Sequence, residues 1–229
     1  MAFVIFPEEI AFLNPMPLVP GATAGAILDA ATDAVNSGKP IVMRELCRNL
    51  SLTPGAPYSH FESAAHLESV VAYNGLLELA GTMLDSVAHI SDPRARLIAA
   101  SQEYRLWALR HPAMFGFLFP TAGRQIDSPH ARHVVSATQA VSVAPVLALR
   151  DGWDSGVFVP PGPGPHTAAL SIPGVVSLTS DETRVANALW ITTHGAVVLE
   201  LAIGIHDGWE SNDEMFDWIV TSNIHRLLG

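Results

Sequence analysis

The residues between Met43 and Phe61 carry the clearest chemical signal. They read Met43-Arg44-Glu45-Leu46-Cys47-Arg48-Asn49-Leu50-Ser51-Leu52-Thr53-Pro54-Gly55-Ala56-Pro57-Tyr58-Ser59-His60-Phe61. The pattern is that of two short helices joined by a tight turn, a helix-turn-helix. Thr53 is a good N-cap for the second helix. Pro54 suits its first position, where the missing N–H costs nothing. Thr53, Gly55 and Ala56 lack bulk, so the start of that helix can approach a groove of duplex DNA, and its free N–H groups favour a phosphate. Tyr58 can donate to a phosphate oxygen, Ser59 and His60 can reach backbone or base edges, and Arg44 adds a cation. The competing role is structural: Tyr58 stacked on Phe61, with His60 as a cap.

A second group is aromatic. Trp107, Phe115, Phe117, Phe119 and Trp190 are too many large rings for one thin layer of helices. Core packing accounts for most of them. Trp107, Phe115, Phe119, Trp190 and His194 are the set expected to line a ligand pocket, since helical bundles place such sites between helices. His194 also reads as a satisfied buried histidine on the same apolar helix as Trp190. His130 and His133, three apart, form a metal-type pair. No third ligand stands out, so a solvated helix start is expected and no metal is assigned. The chain has no phosphate-cradling glycine loop, no Gly-x-Ser-x-Gly elbow, no His-Glu-x-x-His and no dinucleotide fingerprint. No catalytic residue and no cofactor is expected.

The elements that must position these residues are helical almost throughout. Prolines 7, 15, 17 and 20 make residues 1–20 an irregular arm. A helical period begins near Ala24 and stops at Gly38-Pro40. Short helices follow over about Val42–Leu50 and Pro54–Phe61, then a long one from Ser63. Asp92-Pro93 opens another, and Pro112 restarts it as a short apolar piece. One helix is expected from about Ser128 to Arg150. Residues 152–180 break the pattern, with eight glycines or prolines between Gly156 and Pro173. A loop of that length is functional or mobile; a strand near 173–179 would be isolated. Helices return at about 181–205 and 212–228. The sum is an all-α fold of about nine helices. It divides into a helix-turn-helix domain over 21–70 and a ligand-binding and dimerisation domain over 71–229.

Composition narrows the classes. The chain has 229 residues, 49% hydrophobic and 15% charged, enough apolar content for a real core. The net charge is −10 and Lys39 is the only lysine, so a wholly basic nucleic-acid binder is excluded. The single cysteine, Cys47, excludes an intramolecular disulfide and a four-cysteine zinc site, and a reducing cytoplasm is expected. No basic residue precedes Lys39, which argues against a secretory signal. The apolar run Ala186–Ile205 carries Asn187, His194 and Glu200, each costly in lipid. It is therefore expected to be a buried helix rather than a membrane span.

The stretch from about Ala24 to Val71 resembles the N-terminal domain of TetR/AcrR-family transcriptional regulators. Thr53-Pro54-Gly55-Ala56-Pro57-Tyr58-Ser59-His60-Phe61 is similar to that family's turn and recognition helix. Trp190 with His194-Gly195 one turn later resembles the Trp-His-Gly signature of one TetR C-terminal domain type. Tyr104 to Phe115, with its His111-Pro112, is similar to the segment preceding and holding that type's His-Pro. The resemblance implies a homodimer joined by its last two helices, operator DNA as one partner and a small, largely apolar effector as another. It implies a repressor whose head is moved by the effector. Where the family usually has glycine in the turn, this chain has Ser51; where it usually has a phosphate-contacting lysine after Ser63, it has Ala64. Residues 21–87 hold three cations against seven carboxylates, so phosphate neutralisation is modest. That balance leaves open a chain of this fold that has lost operator binding and acts as a partner subunit or a pocket-based enzyme.

Overall fold

The computed structural model describes residue 16 and residues 21–120, 130–172, 174–204 and 208–229. The 1–20 arm therefore lies, apart from Met16, outside the described residues. Nine α-helices are described: α1 (Ala22–Asn36), α2 (Met43–Asn49), α3 (Ala64–Val87), α4 (Pro93–Arg110), α5 (Pro112–Leu118), α6 (Ala131–Val141), α7 (Val143–Asp154), α8 (Ser180–Ile203) and α9 (Asn212–Leu228). The architecture is all-α. A small antiparallel hairpin, β1 (Ser171–Ile172) with β2 (Val176–Ser177), is the single sheet among the described residues.

Two compact units make up the chain, and neither is a continuous segment. One holds the described part of Leu13–Glu78 together with Arg110–Ala140; the other holds Leu79–Leu109 and Val141–Gly229. We call them the head unit and the C-terminal unit. The head unit is thus larger than the helix-turn-helix itself, since α5 and most of α6 fold with it. α1 packs on both α2 and α5. Ile27, Ala31, Val35, Leu46, Cys47, Phe61, Leu67, Val70 and Val71 are buried there, the stripe that the helical period selects.

Helix ends follow from local chemistry. α1 closes with Gly38 at φ +70, the Gly38 N–H donating to Val35 O and the Lys39 N–H to Ala34 O. α2 closes the same way: the Ser51 N–H donates to Arg48 O and the Leu52 N–H to Cys47 O, with Ser51 at φ +55. Both are Schellman ends, which need a left-handed residue at the same place. Asp92 caps α4 by accepting from the Ala95 N–H at 2.7 Å. Thr179 and Glu182 form a reciprocal capping box on α8, and Ser211 accepts from the Glu214 N–H on α9.

Two expected elements differ. The single helix expected over about 128–150 is two, α6 and α7, broken at Ser142. Pro145 has no N–H to give Val141 O, so the ladder cannot continue across that turn. The second helix of the helix-turn-helix shrinks to one 3₁₀ turn, Ala56–Ser59. Pro57 removes the donor that an α-helix started at Pro54 would use first. The chain instead closes i→i+3 bonds from the N–H groups of Ala56, Tyr58 and His60 to Thr53, Gly55 and Pro57 O.

The glycine- and proline-rich segment is anchored on the C-terminal unit. The Thr167 N–H donates to Ser180 Oγ and the Leu170 N–H to Thr183 Oγ1, both on α8, while Arg184 donates to Gly162 O. Phe158 is buried against Gly152, where an added Cβ would lie 2.0 Å from its ring. The strand expected to be isolated is paired, as β1 with β2.

Candidate functional site

In the head unit the expected DNA-facing residues stand mostly in solvent. Arg44, Thr53, Gly55, Tyr58 and Ser59 are exposed, and Ala56 and His60 are half-buried. Tyr58 keeps 55% of its surface. Pro57 is buried and holds the turn against the unit. Ser59 Oγ donates to Ala56 O at 2.6 Å, so its hydroxyl proton is engaged within the turn while its oxygen still faces water. Lys39 and Arg48 are also exposed.

In the C-terminal unit the fold assembles a site that the sequence showed only in part. Trp190 and His194 lie one turn apart on α8, with rings nearly parallel at 15° and centroids 5.4 Å apart. Tyr104 of α4 meets Trp190 edge-on at 5.2 Å, and its hydroxyl lies 2.7 Å from His194 Nδ1. Tyr104 is fully buried. Burial pushes the Tyr104 hydroxyl far above the ordinary phenol range, so it stays protonated. Burial lowers the His194 pKa, favouring the neutral ring. The Tyr104 hydroxyl and His194 Nδ1 share one hydrogen bond between two uncharged groups. The result is a cluster of stacked and edge-on rings tied by one hydrogen bond, with Tyr104 buried and Trp190 and His194 half-buried.

Six residues beyond His194 on α8, Glu200 forms a buried ion pair. Arg105 Nε and Nη2 donate to both Glu200 carboxylate oxygens at 2.6 and 2.7 Å, and Arg105 Nη1 reaches Asp213 at 2.8 Å. The Glu200 hydrogen bond leads in raising the arginine pKa, so the cation persists. The guanidinium also lies 5.2 Å from the Phe216 ring centroid. The charge that argued against lipid at Glu200 is therefore met inside the unit.

The expected pocket set separates between the units. Trp107, Trp190 and His194 belong to the C-terminal unit, and Trp107 is fully buried. Phe115 and Phe119 belong to the head unit, with ring centroids 5.0 Å apart. Tyr104 was missed as a site residue because its hydroxyl finds His194 across 90 positions of sequence. A cavity of about 240 Å³ lies in the head unit, lined by Val35, Lys39, Ile41, Glu68, Ala113 and Phe117.

The expectation for α8 as a buried helix is also corrected. α8 is long and apolar enough to cross a membrane, with a mean hydropathy of 1.3, yet only 17% of that window is buried. Ile191, Leu199 and Ile203 are exposed at 68%, 49% and 64%. Gly195 falls in the same four-residue stripe, and a Cβ there would meet nothing within 4 Å. On α9, Trp218 is 58% exposed and packs against Trp209 at 5.4 Å.

His130 and His133 do not form a solvated helix start. His133 is buried, and His130 stacks on His66, with rings 3.9 Å apart and 16° from parallel. Glu62 Oε2 lies 3.2 Å from His130 Nε2. Burial first, then the neighbouring His130, lowers the His66 pKa against the pull of Glu62.

A family model described as the tetracyclin repressor-like C-terminal domain matches residues 97–222, more than half of the chain. The chain belongs to the TetR family. Its all-α fold agrees with those of solved structures. A Rhodococcus sp. RHA1 protein of unknown function superposes with a TM-score of 0.71 at 22% identity, covering 94% of this chain and 100% of its own. A TetR family transcription regulator from Marinobacter aquaeolei VT8 gives 0.60 at 15% identity, covering 90% and 95%. AibR, solved with isovaleryl coenzyme A and operator DNA, gives 0.58 at 17% identity, covering 87% and 96%. No curated protein sequence gives a match. The matched segment of this TetR-family chain includes Tyr104, Arg105, Trp190, His194 and Glu200.

Proposed function

We propose that this TetR-family chain is a ligand-responsive transcriptional repressor, acting in the cytoplasm as a homodimer on operator DNA. The observation that carries the reading is the Tyr104–Trp190–His194 cluster inside the matched C-terminal domain. Trp190 and His194 are only half-buried beside the buried Tyr104, so part of each ring is open to a ligand. Tyr104 is the anchor added to Trp190 and His194 of the expected set; Phe115 and Phe119 fall in the head unit and take no part in this site. An apolar effector with one polar group would lie against Trp190 and exchange hydrogen bonds with the Tyr104–His194 pair. AibR, of the same fold, holds an acyl coenzyme A and operator DNA in one complex, which makes short-chain acyl thioesters a sensible first probe.

The exposed stripe Ile191–Gly195–Leu199–Ile203, with Trp218, supports the dimer. An apolar stripe of that length on one helix face calls for a partner, and a glycine at its centre lets two helices approach. Arg44, Thr53, Gly55, Ala56, Tyr58, Ser59 and His60 would meet DNA, two heads entering successive major grooves about 34–36 Å apart.

The acidic balance of residues 21–87 favours one rival, a chain of this fold that no longer reads an operator. Fluorescence anisotropy with DNA from upstream of its own gene separates the two. Binding that short-chain acyl thioesters or a panel of apolar carboxylates reverse supports the repressor. Absence of binding at low salt supports the rival.

A further inference from the structure

We propose that Glu62, His66 and His130 form a binding site for a divalent transition-metal ion of the imidazole-preferring kind, Zn²⁺, Co²⁺ or Ni²⁺. All three belong to the head unit. One ligand atom from each lies within 4.8 Å of the others. Two imidazoles and a carboxylate are a donor set that such ions take and that Mg²⁺ and Ca²⁺ do not prefer. The inference stands independently of the DNA-binding reading.

A second observation points to a ligand. His66 is 6% exposed, and its Nε2 has no hydrogen-bond partner. A buried ring nitrogen left unpaired is costly. An ion beside Glu62 and His130 gives that nitrogen a bond. The Glu62 side chain is 71% exposed, so an ion has an open way in from solvent. His133, one turn beyond His130, lies with its ring 6.1 Å from that of His130 and accepts from Arg132 Nε at 3.4 Å.

Occupation requires definite changes. Zinc bonded at about 2.0–2.1 Å in a tetrahedron holds its ligand atoms about 3.4 Å apart, so the widest pair must close by up to about 1.4 Å and the stacked rings must slip. The Glu62 N–H now donates to His66 Nδ1 at 3.2 Å, which places the neutral ring's proton on Nε2. A metal at Nε2 moves that proton to Nδ1 and ends the bond from Glu62 N–H. The His66 N–H keeps Ser63 Oγ as its acceptor at 3.1 Å. The ion would thus exchange one local bond at the start of α3 for a link to the start of α6.

The test is a Co²⁺ titration of the metal-free full-length chain, followed by visible absorption and then by Zn²⁺ competition. The expected result is a single tight equivalent with the intense absorption of a four-coordinate site, displaced by Zn²⁺. Glu62→Gln and His130→Gln change partly exposed residues and preserve the fold by circular dichroism. Each should weaken binding at least tenfold and alter the spectrum, while His166→Ala, in the C-terminal unit, leaves both unchanged. Weak six-coordinate absorption, or binding that neither Glu62→Gln nor His130→Gln alters, overturns the proposal.

Discussion

The head unit and the C-terminal unit handle polarity in opposite ways. The head shows water a polar turn, Thr53 to His60, around few cations, and its exposed aromatic Tyr58 ends in a hydroxyl. The C-terminal unit hides its polar chemistry, burying Arg105 against Glu200 and Tyr104 against His194, and shows water Ile191, Leu199, Ile203 and Trp218. Apolar area associates strongly and without direction, whereas a few uncharged donors on DNA bind weakly but in register. In the proposed repressor, two weak heads would gain a usable grip on DNA only through the interface that joins them.

The largest effect should come from breaking the strong half. Leu199→Arg places a charge in the middle of the α8 stripe. If two copies meet there, the dimer Kd should rise more than a hundredfold, about 3 kcal/mol or more, read by sedimentation equilibrium. Gly195→Leu sharpens the same point. Its Cβ meets nothing within the chain, so the monomer should hold or gain up to about 1 kcal/mol in a thermal melt. The dimer should lose about 1–3 kcal/mol from overpacking. A variant that weakens neither monomer nor dimer would remove the stripe from the interface.

The hidden polar pair gives the next effect. Tyr104→Phe deprives His194 Nδ1 of its partner and should lower unfolding stability by about 1–3 kcal/mol in a denaturant titration. Burial lowers the His194 pKa in the folded chain, so the unfolded chain takes up that proton first as pH falls. Stability is therefore expected to fall as pH drops below about 6.5, the ordinary histidine value, until the folded pKa is passed. His194→Gln should flatten that part of the profile.

The smallest effect lies in the head. Gly38 and Ser51 occupy the same place in two Schellman ends, at φ +70 and φ +55. Ser51→Gly should stabilise by up to about 1 kcal/mol, and Gly38→Ser should cost a similar amount, since only the glycine takes this conformation without a Cβ clash. Equal melting temperatures for Ser51→Gly and the native chain would show that the turn carries no such strain.

Most of the fold was legible because helix signals are local. α9 begins and ends where the Asn212–Leu228 period does, and Asp92-Pro93 opens α4 as an N-cap and first-turn proline should. The Trp190–His194 stack was legible from a spacing of four on one helix. Less legible were features set by proline at one remove. Pro145 breaks a helix at Ser142, and Pro57 tightens the second helix of the helix-turn-helix into a single turn. The least legible were pairings between distant segments. Tyr104 with His194, Arg105 with Glu200, and His66 with His130 are each brought together by packing that no local period encodes. The open face of α8 was half legible: its apolar run was plain, but only the packed helix shows which side stays uncovered.

In the proposed repressor, two cation-poor heads joined by the α8–α9 face bind one operator. The salt dependence of that binding tests it most directly. With two or three ionic phosphate contacts per head, log K against log salt should fall with a slope of roughly −4 to −5 for the native dimer, and Ala64→Lys should steepen it by about 2 while strengthening binding to every sequence alike. Absence of binding at low salt in both the native chain and Ala64→Lys would contradict the claim and leave function to the C-terminal unit.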